Sequence, residues 1–214
     1  MIINELTVGI VQTKCYILSR DENSTECVII DPGAEAARIR KAAGKKTIAA
    51  ILLTHGHFDH IGAVRELYNN SEFRIQNSEL SAAAGEILHS AQDDTEKKPR
   101  IVIHKLDAPM LGDPMLNASR LLLQQDITAP EATDTVREGD ELELAGLKVK
   151  VLHTPGHTPG SVCYEIENEY FTGDTVFDYG WGRTDLPGGN EEQMEASLRR
   201  MMPLVREHGL HAGH

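Results

Sequence analysis

Apolar residues fall along this chain in short runs separated by turn formers. Runs rich in β-branched residues at Cys15–Leu18, Cys27–Ile30, Ile48–Leu53, Ile101–His104, Leu147–Leu152 and Val162–Ile166 predict strands. Between several of them the apolar positions take on helical spacing, which predicts helices over Ala34–Ala43, Ile61–Tyr68, Ser78–His89, Pro114–Gln124 and Glu191–Met202. The layout is α/β. Two pairs of runs read as hairpins, Glu141–Leu144 with Val149–Leu152 around Ala145-Gly146, and Tyr164–Ile166 with Tyr170-Phe171 around Glu167–Glu169. Antiparallel or mixed sheets follow. The charged stretch Gln92–Arg100 and the Pro/Thr-rich stretch Asp126–Thr135 predict exposed loops, and no repeat or linker divides the chain, so one domain over residues 1–214 is expected.

Composition narrows the classes of function. Hydrophobic residues make up 40% and charged residues 25% of the 214 positions, an ordinary balance for a soluble chain able to bury a core. The formal net charge of −12 argues against nucleic acid as a partner, which is usually held by clustered Lys and Arg. Cys15, Cys27 and Cys163 are widely spaced and form no Cys-x-x-Cys, so neither a disulfide framework nor a thiolate zinc site is indicated. No run approaches the about 20 apolar residues needed to span a bilayer, and the N-terminus lacks a signal-like pattern. A cytoplasmic protein without a membrane partner is the expectation.

The chemistry concentrates at predicted strand ends. Thr54-His55-Gly56-His57-Phe58-Asp59-His60 follows a buried apolar run and places four metal-ligand side chains on one short loop. Imidazole nitrogens and carboxylate oxygens suit zinc, iron or manganese. A lone histidine here would read as a polar loop residue or helix cap; four such groups together do not. A second run ends in His153-Thr154-Pro155-Gly156-His157, where His153 is the expected ligand and His157 the residue held behind it or packed. A third ends in Thr172-Gly173-Asp174, where a carboxylate could bridge two metals, although Gly-Asp alone is a weak signal because it is common at turns.

These segments, together with Val11–Tyr16, Asp31-Pro32-Gly33, His153–Ser161 and Gly182–Gly189, resemble the metallo-β-lactamase fold and within it the glyoxalase II-like (hydroxyacylglutathione hydrolase-like) hydrolases. The resemblance implies a four-layer αβ/βα sandwich of two mixed sheets with two divalent metal ions at one sheet edge, zinc first, with iron or manganese as the other candidates. It makes His55, His57 and His153 the ligands of the first metal, Asp59 and His60 ligands of the second, and Asp174 the bridge. The family's last histidine, normally in Pro-Gly-His-Gly, falls on His214, with Ala212 in place of the proline and His211 as the substitute.

By the same resemblance, a metal-held hydroxide oriented by Asp59 attacks a small thioester or ester. A thiolate leaving group, with a pKa of about 8.5 for a simple cysteine, needs little help from an acid. The C-terminal helical region with which glyoxalase II contacts glutathione does not follow His214 here, which widens the expected substrates to small thioesters, esters and lactones. Tyr179, Trp181 and Arg183 are expected at the substrate entrance, against a packed aromatic for Trp181 and an Arg183–Asp185 ion pair. The alternatives are a persulfide dioxygenase with one iron on His55, His153 and Asp174, a lactonase, and a noncatalytic metal-binding module.

Overall fold

The longest apolar runs build the first sheet. Its strands are β1 (Ile2–Val8), β2 (Thr13–Ser19), β3 (Glu26–Ile30), β4 (Thr47–Leu52), β5 (Arg100–His104) and β6 (Asp134–Val136), side by side in that order. The first two junctions are antiparallel and the next three parallel. The computed structural model describes residues 1–69 and 98–214; the helix predicted over Ser78–His89 and most of the Gln92–Arg100 loop lie outside the described residues.

The second sheet holds β7 (Glu141–Leu144), β8 (Leu147–His153), β9 (Val162–Ile166), β10 (Glu169–Gly173) and β11 (Gly209–Ala212), in the order β11-β10-β9-β8-β7. It too is mixed, since β10 and β11 are parallel and the other junctions antiparallel. Both predicted hairpins form on two-residue turns with positive φ at each position, Ala145-Gly146 and Glu167-Asn168, which suits the right-handed twist of the strands.

Side-chain alternation explains the layering. In β2, β3, β4 and β5 one set of residues (Leu18, Val28, Ile30, Leu52, Val102) meets Leu147, Val149, Val151, Val162, Tyr164 and Phe171 of the second sheet. The other set (Cys15, Ile17, Ile29, Ile51, Ile101, Ile103) packs under α1 (Ala36–Ala43), α2 (Phe58–Ile61) and α3 (Val64–Asn69). Strands buried on both faces read as unbroken apolar runs, which is why these were legible. The outer face of the second sheet is covered by α5 (Glu191–Glu207) through Met201 and Val205 against Leu152, Cys163 and Tyr170. The result is two mixed sheets face to face with helices outside, in the α/β class.

Two helix predictions are corrected. Ile61–Tyr68 is not one helix with a free start: α2 and α3 are separate, because the Ala63 N–H turns away to the Pro32 carbonyl at 2.9 Å. Pro114–Gln124 shrinks to α4 (Ser119–Leu123). There Asp113 Oδ1 accepts from Met115 N and Leu116 N, and Ala118 takes a left-handed conformation with φ 64°, so the earlier residues form turns. By contrast α5 starts where predicted, with Asn190 Oδ1 accepting from Gln193 N at 2.9 Å, and continues through Pro203 to Glu207.

The strand β1 was missed because its side chains are mostly exposed and form no apolar run. It lies at the sheet edge and contributes to the core mainly through Val8. Among the described residues no helix is long and apolar enough to cross a membrane.

The two sheets are tied at one edge. Tyr164 Oη, fully buried on β9, donates to the Leu53 carbonyl beyond β4 at 2.9 Å, and Val162 N donates to the Thr54 carbonyl at 2.8 Å. Tyr164→Phe leaves a buried carbonyl without its partner and is expected to lower unfolding free energy by about 1–3 kcal/mol in urea titrations of the metal-free protein. An unchanged midpoint would show that the bond does not contribute.

Candidate metal centre

Strands β8 and β10 point the same way across β9, and β11 runs parallel to β10, so their C-terminal ends share one edge. The loop after β4 meets them there. On it, the Thr54 hydroxyl spends its single proton on Asp31 Oδ2 at 2.6 Å, and Thr54 N donates to Asp31 Oδ1 at 2.8 Å. The Thr54 oxygen therefore accepts from His55 Nδ1, 3.1 Å away, and leaves His55 Nε2 as a bare lone pair facing inward.

Three imidazoles converge in the first pocket. His57 Nδ1 and His157 Nε2 are 2.8 Å apart, and His157 Nε2 lies 3.2 Å from His55 Nε2. His157 Nδ1 donates outward to the Arg183 carbonyl at 2.6 Å, so its inward Nε2 is a lone pair as well. Two lone pairs facing each other need a cation or a proton between them. The nitrogen spacing is close to the about 3.3 Å separation expected of ligands around a tetrahedral zinc with bonds of about 2.0–2.1 Å.

A second pocket adjoins it. His214 Nε2 lies 3.3 Å from Asp59 Oδ2 and 3.6 Å from Asp174 Oδ1, and His60 Nε2 lies 3.6 and 3.3 Å from the same two oxygens. The other Asp174 oxygen, Oδ2, is 3.4 Å from His157 Nε2, so this carboxylate spans both pockets. His60 Nε2 and Asp174 Oδ1 are buried without a hydrogen-bond partner among the described residues. Such orphans are expensive unless something absent from the chain itself completes them. Ligand-competent groups come together as His55/His57/His157, His55/His60/Asp174 and Asp59/His60/His214, so the residues fit two ions.

Outer groups lie against the second pocket. His60 Nδ1 is 3.0 Å from Asp31 Oδ2, His214 Nδ1 donates to the Val11 carbonyl at 3.1 Å, and Thr13 Oγ1 donates to Asp59 Oδ2 at 3.2 Å. The segment bearing His214 is clamped between sheets, by Lys14 N to the Gly213 carbonyl, Gly213 N to the Gly173 carbonyl and Tyr16 Oη to the Ala212 carbonyl. His211 faces elsewhere, pairing with Glu169 at 2.9 Å and stacking on Phe171.

Electrostatics prepare the donors. Burial, reinforced by neighbouring histidines, holds His55 well below the ordinary imidazole range and His57 down at about 3. Burial works to raise the Asp59 and Asp174 carboxyls, but His60 beside both, with His214, takes them below the carboxylate range. Asp59 is therefore ionised near neutral pH. Burial works to lower His60 and His214 too, but Asp59 and Asp174, with Asp31 at His60, raise both above the ordinary imidazole range. Neutral imidazoles and ionised carboxylates are the forms that bind metal, so an ion entering the second pocket displaces protons from these two rings.

The structure corrects one expected ligand. His153 is still inside β8 on the Val151 side of the strand, with its ring stacked 4.1 Å from His104 and Nε2 bonded to the Pro159 carbonyl at 2.9 Å. The chain turns into the centre only after Pro155-Gly156, so His157 occupies the position expected of His153. The available signal was glycine directly before the histidine, as in Gly56-His57. Asp107, which joins the two histidine loops, carried no sequence signal.

At the proposed entrance Tyr179 is fully exposed and Trp181 60% exposed, which removes the packed-aromatic alternative for Trp181. The Arg183 side chain pairs with Asp185 at 2.6 and 2.7 Å, while its carbonyl holds His157.

His157→Ala is expected to abolish retention of the ion in the three-histidine pocket, whereas His153→Ala retains the wild-type metal content. Elemental analysis of the two purified variants separates them; the reverse pattern would restore His153 as the ligand.

The Metallo-beta-lactamase superfamily model matches residues 8–207. A protein named hydroxyacylglutathione hydrolase GloC from Haemophilus influenzae is 34% identical over 221 residues, covering 100% of this chain and 91% of that one. The crystal structure of BLEG-1 B3 metallo-beta-lactamase superposes with a TM-score of 0.81 at 32% identity, covering 100% of this chain and 91% of that one. That of TTHA1623 in a di-iron-bound form gives 0.75 at 30% identity, covering 99% and 91%. With its histidines and carboxylates gathered at the edge of two mixed sheets, the chain belongs to the metallo-beta-lactamase superfamily.

Proposed function

We propose that the protein is a metal-dependent hydrolase of small thioesters or esters, glyoxalase II-like in its chemistry, holding two divalent ions. The observation that carries this reading is Asp174, whose two oxygens reach one pocket each. His55, His57 and His157 would hold one ion and Asp59, His60 and His214 the other, with Asp174 shared. Zinc is the ion the nitrogen-rich donor set favours. A bound divalent ion polarises a carbonyl oxygen and makes water a stronger acid, supplying nucleophile and electrophile without a serine or cysteine.

The chain's own residues do the rest. Asp59 Oδ2, fixed by Thr13 Oγ1 and facing His214 Nε2, is placed to orient water and take its proton. Asp31, through Thr54, keeps His55 in one tautomer, and Arg183 does so for His157 through its carbonyl. Tyr179 and Trp181, exposed on the loop after Asp174, offer apolar surface that a substrate would meet. Among the described residues the leaving group has no obvious acid donor, which suits a thiolate, with a pKa of about 8.5, better than an alkoxide. The resemblance to GloC, a relative named for hydrolysing hydroxyacylglutathione, supports the same substrate class.

The test is hydrolysis of lactoylglutathione, a simple acyl thioester, an ester and a lactone by zinc- and iron-loaded protein. The expected result is turnover of a thioester, with kcat/KM in His57→Ala reduced by more than the about 10–100-fold typical of losing an outer partner of a metal ligand. Fully loaded protein that cleaves none of the four sinks the proposal. So does a single iron per chain with oxygen consumed on glutathione persulfide, the outcome that marks a dioxygenase.

A further inference from the structure

We propose that Asp107 is a positioning residue for the three-histidine pocket, and that its carboxylate sets the separation of the His55–His57 and His157 loops so that its loss weakens one metal of the two. The proposal rests on the reading of the centre as a two-metal site. Asp107 follows β5, just before the 3₁₀ turn Ala108–Leu111, and is fully buried. Among the described residues no Lys or Arg pairs with it. Burial pushes its carboxyl up, and three hydrogen bonds push back. A buried acid without a cationic partner is costly to keep.

What it does with its two oxygens is specific. Oδ2 accepts from Gly56 N at 3.1 Å, between His55 and His57, and from Thr158 Oγ1 at 2.6 Å, next to His157. Oδ1 accepts from Gly160 N at 2.6 Å, farther along the same loop. One carboxylate thus ties together two loops about a hundred residues apart in sequence, a reach that a neutral carbonyl with one oxygen lacks. The loops are shaped around it. A Cβ at Gly160 would sit 2.5 Å from Asp107 Oδ1 and 2.7 Å from its N, and one at Gly56 would sit 2.6 Å from Met110 Cβ in the adjoining 3₁₀ turn. Both glycines admit this segment at close range.

The two loops that Asp107 joins carry the His57 Nδ1 to His157 Nε2 approach of 2.8 Å. None of its hydrogen bonds reaches Asp59, His60 or His214. Those are braced by Thr13, Asp31 and the Val11 carbonyl. Asp31 serves both sides, through Thr54 to His55 and beside His60, whereas Asp107 touches only the three-histidine side, so disturbing Asp107 acts on one pocket.

Asp107→Asn keeps the shape but sets an N–H against the N–H of Gly160 or Gly56. Metal-free wild type and variant are titrated with zinc against a chromophoric chelator, then with cobalt to record the absorption of each filled pocket. The expected result is one binding step weakened about 10–100-fold, with an altered cobalt band, and the other step at its wild-type value. General loosening of the fold would weaken both steps, and a purely structural acid would lower the urea midpoint of the metal-free protein while leaving both unchanged. Either pattern overturns the proposal. Should Asp107→Asn fail to fold, Thr158→Val, which removes one donor to the same carboxylate, is judged by the same criterion. Wild type that binds no ion overturns the metal reading together with this proposal. Wild type that binds two, with a variant that matches it, overturns the proposal alone.

Discussion

Each imidazole has two ring nitrogens, and only the one without a proton binds a cation. The other needs an acceptor where water is excluded, and His57 Nε2 is left without one among the described residues. Thr54 serves His55, the Arg183 carbonyl serves His157 and the Val11 carbonyl serves His214, with Asp31 lying beside His60. These acceptors come from four separate segments spanning both sheets. The inward direction of the lone pairs is consequently a property of the closed sandwich, and no isolated loop would have it.

Closing the sandwich sets like groups against one another. Histidine lone pairs face each other, and the Asp59 and Asp174 carboxylates share the second pocket. Removing an ionised carboxylate from water costs several kcal/mol even after relaxation. Apolar burial between the sheets and beneath the helices offsets that penalty, at about 1.5–3 kcal/mol for each fully buried Val, Leu, Ile or Phe side chain. A cation that fits only the folded arrangement relieves the repulsion and stabilises the fold through the same contacts. Core and centre are thus linked energetically as well as spatially.

Asp31 and Asp107 divide the support between them. Asp31 reaches His55 through Thr54 and lies against His60, touching a ligand of each pocket. Asp107 binds only loop backbone and Thr158 on the three-histidine side. Both residues emerge from C-terminal strand ends of the first sheet, the edge where the parallel strands deliver their loops.

The sequence by itself determined the strands buried on both faces, the two hairpins, the start of α5 and the loop from His55 to His60, because apolar periodicity and local residue types encode each of them. It also pointed to Asp174 and His214 through resemblance, which carries position in a motif. Tertiary structure decided between His153 and His157: strand alternation holds the first against His104, and only the turn after Pro155-Gly156 delivers the second. It also decided the role of Asp107, an ordinary acidic residue in sequence, since its three partners lie on loops that meet only once both sheets have closed. Local pattern records which residues can be ligands, whereas the direction of a lone pair depends on where the ring's other nitrogen finds its acceptor.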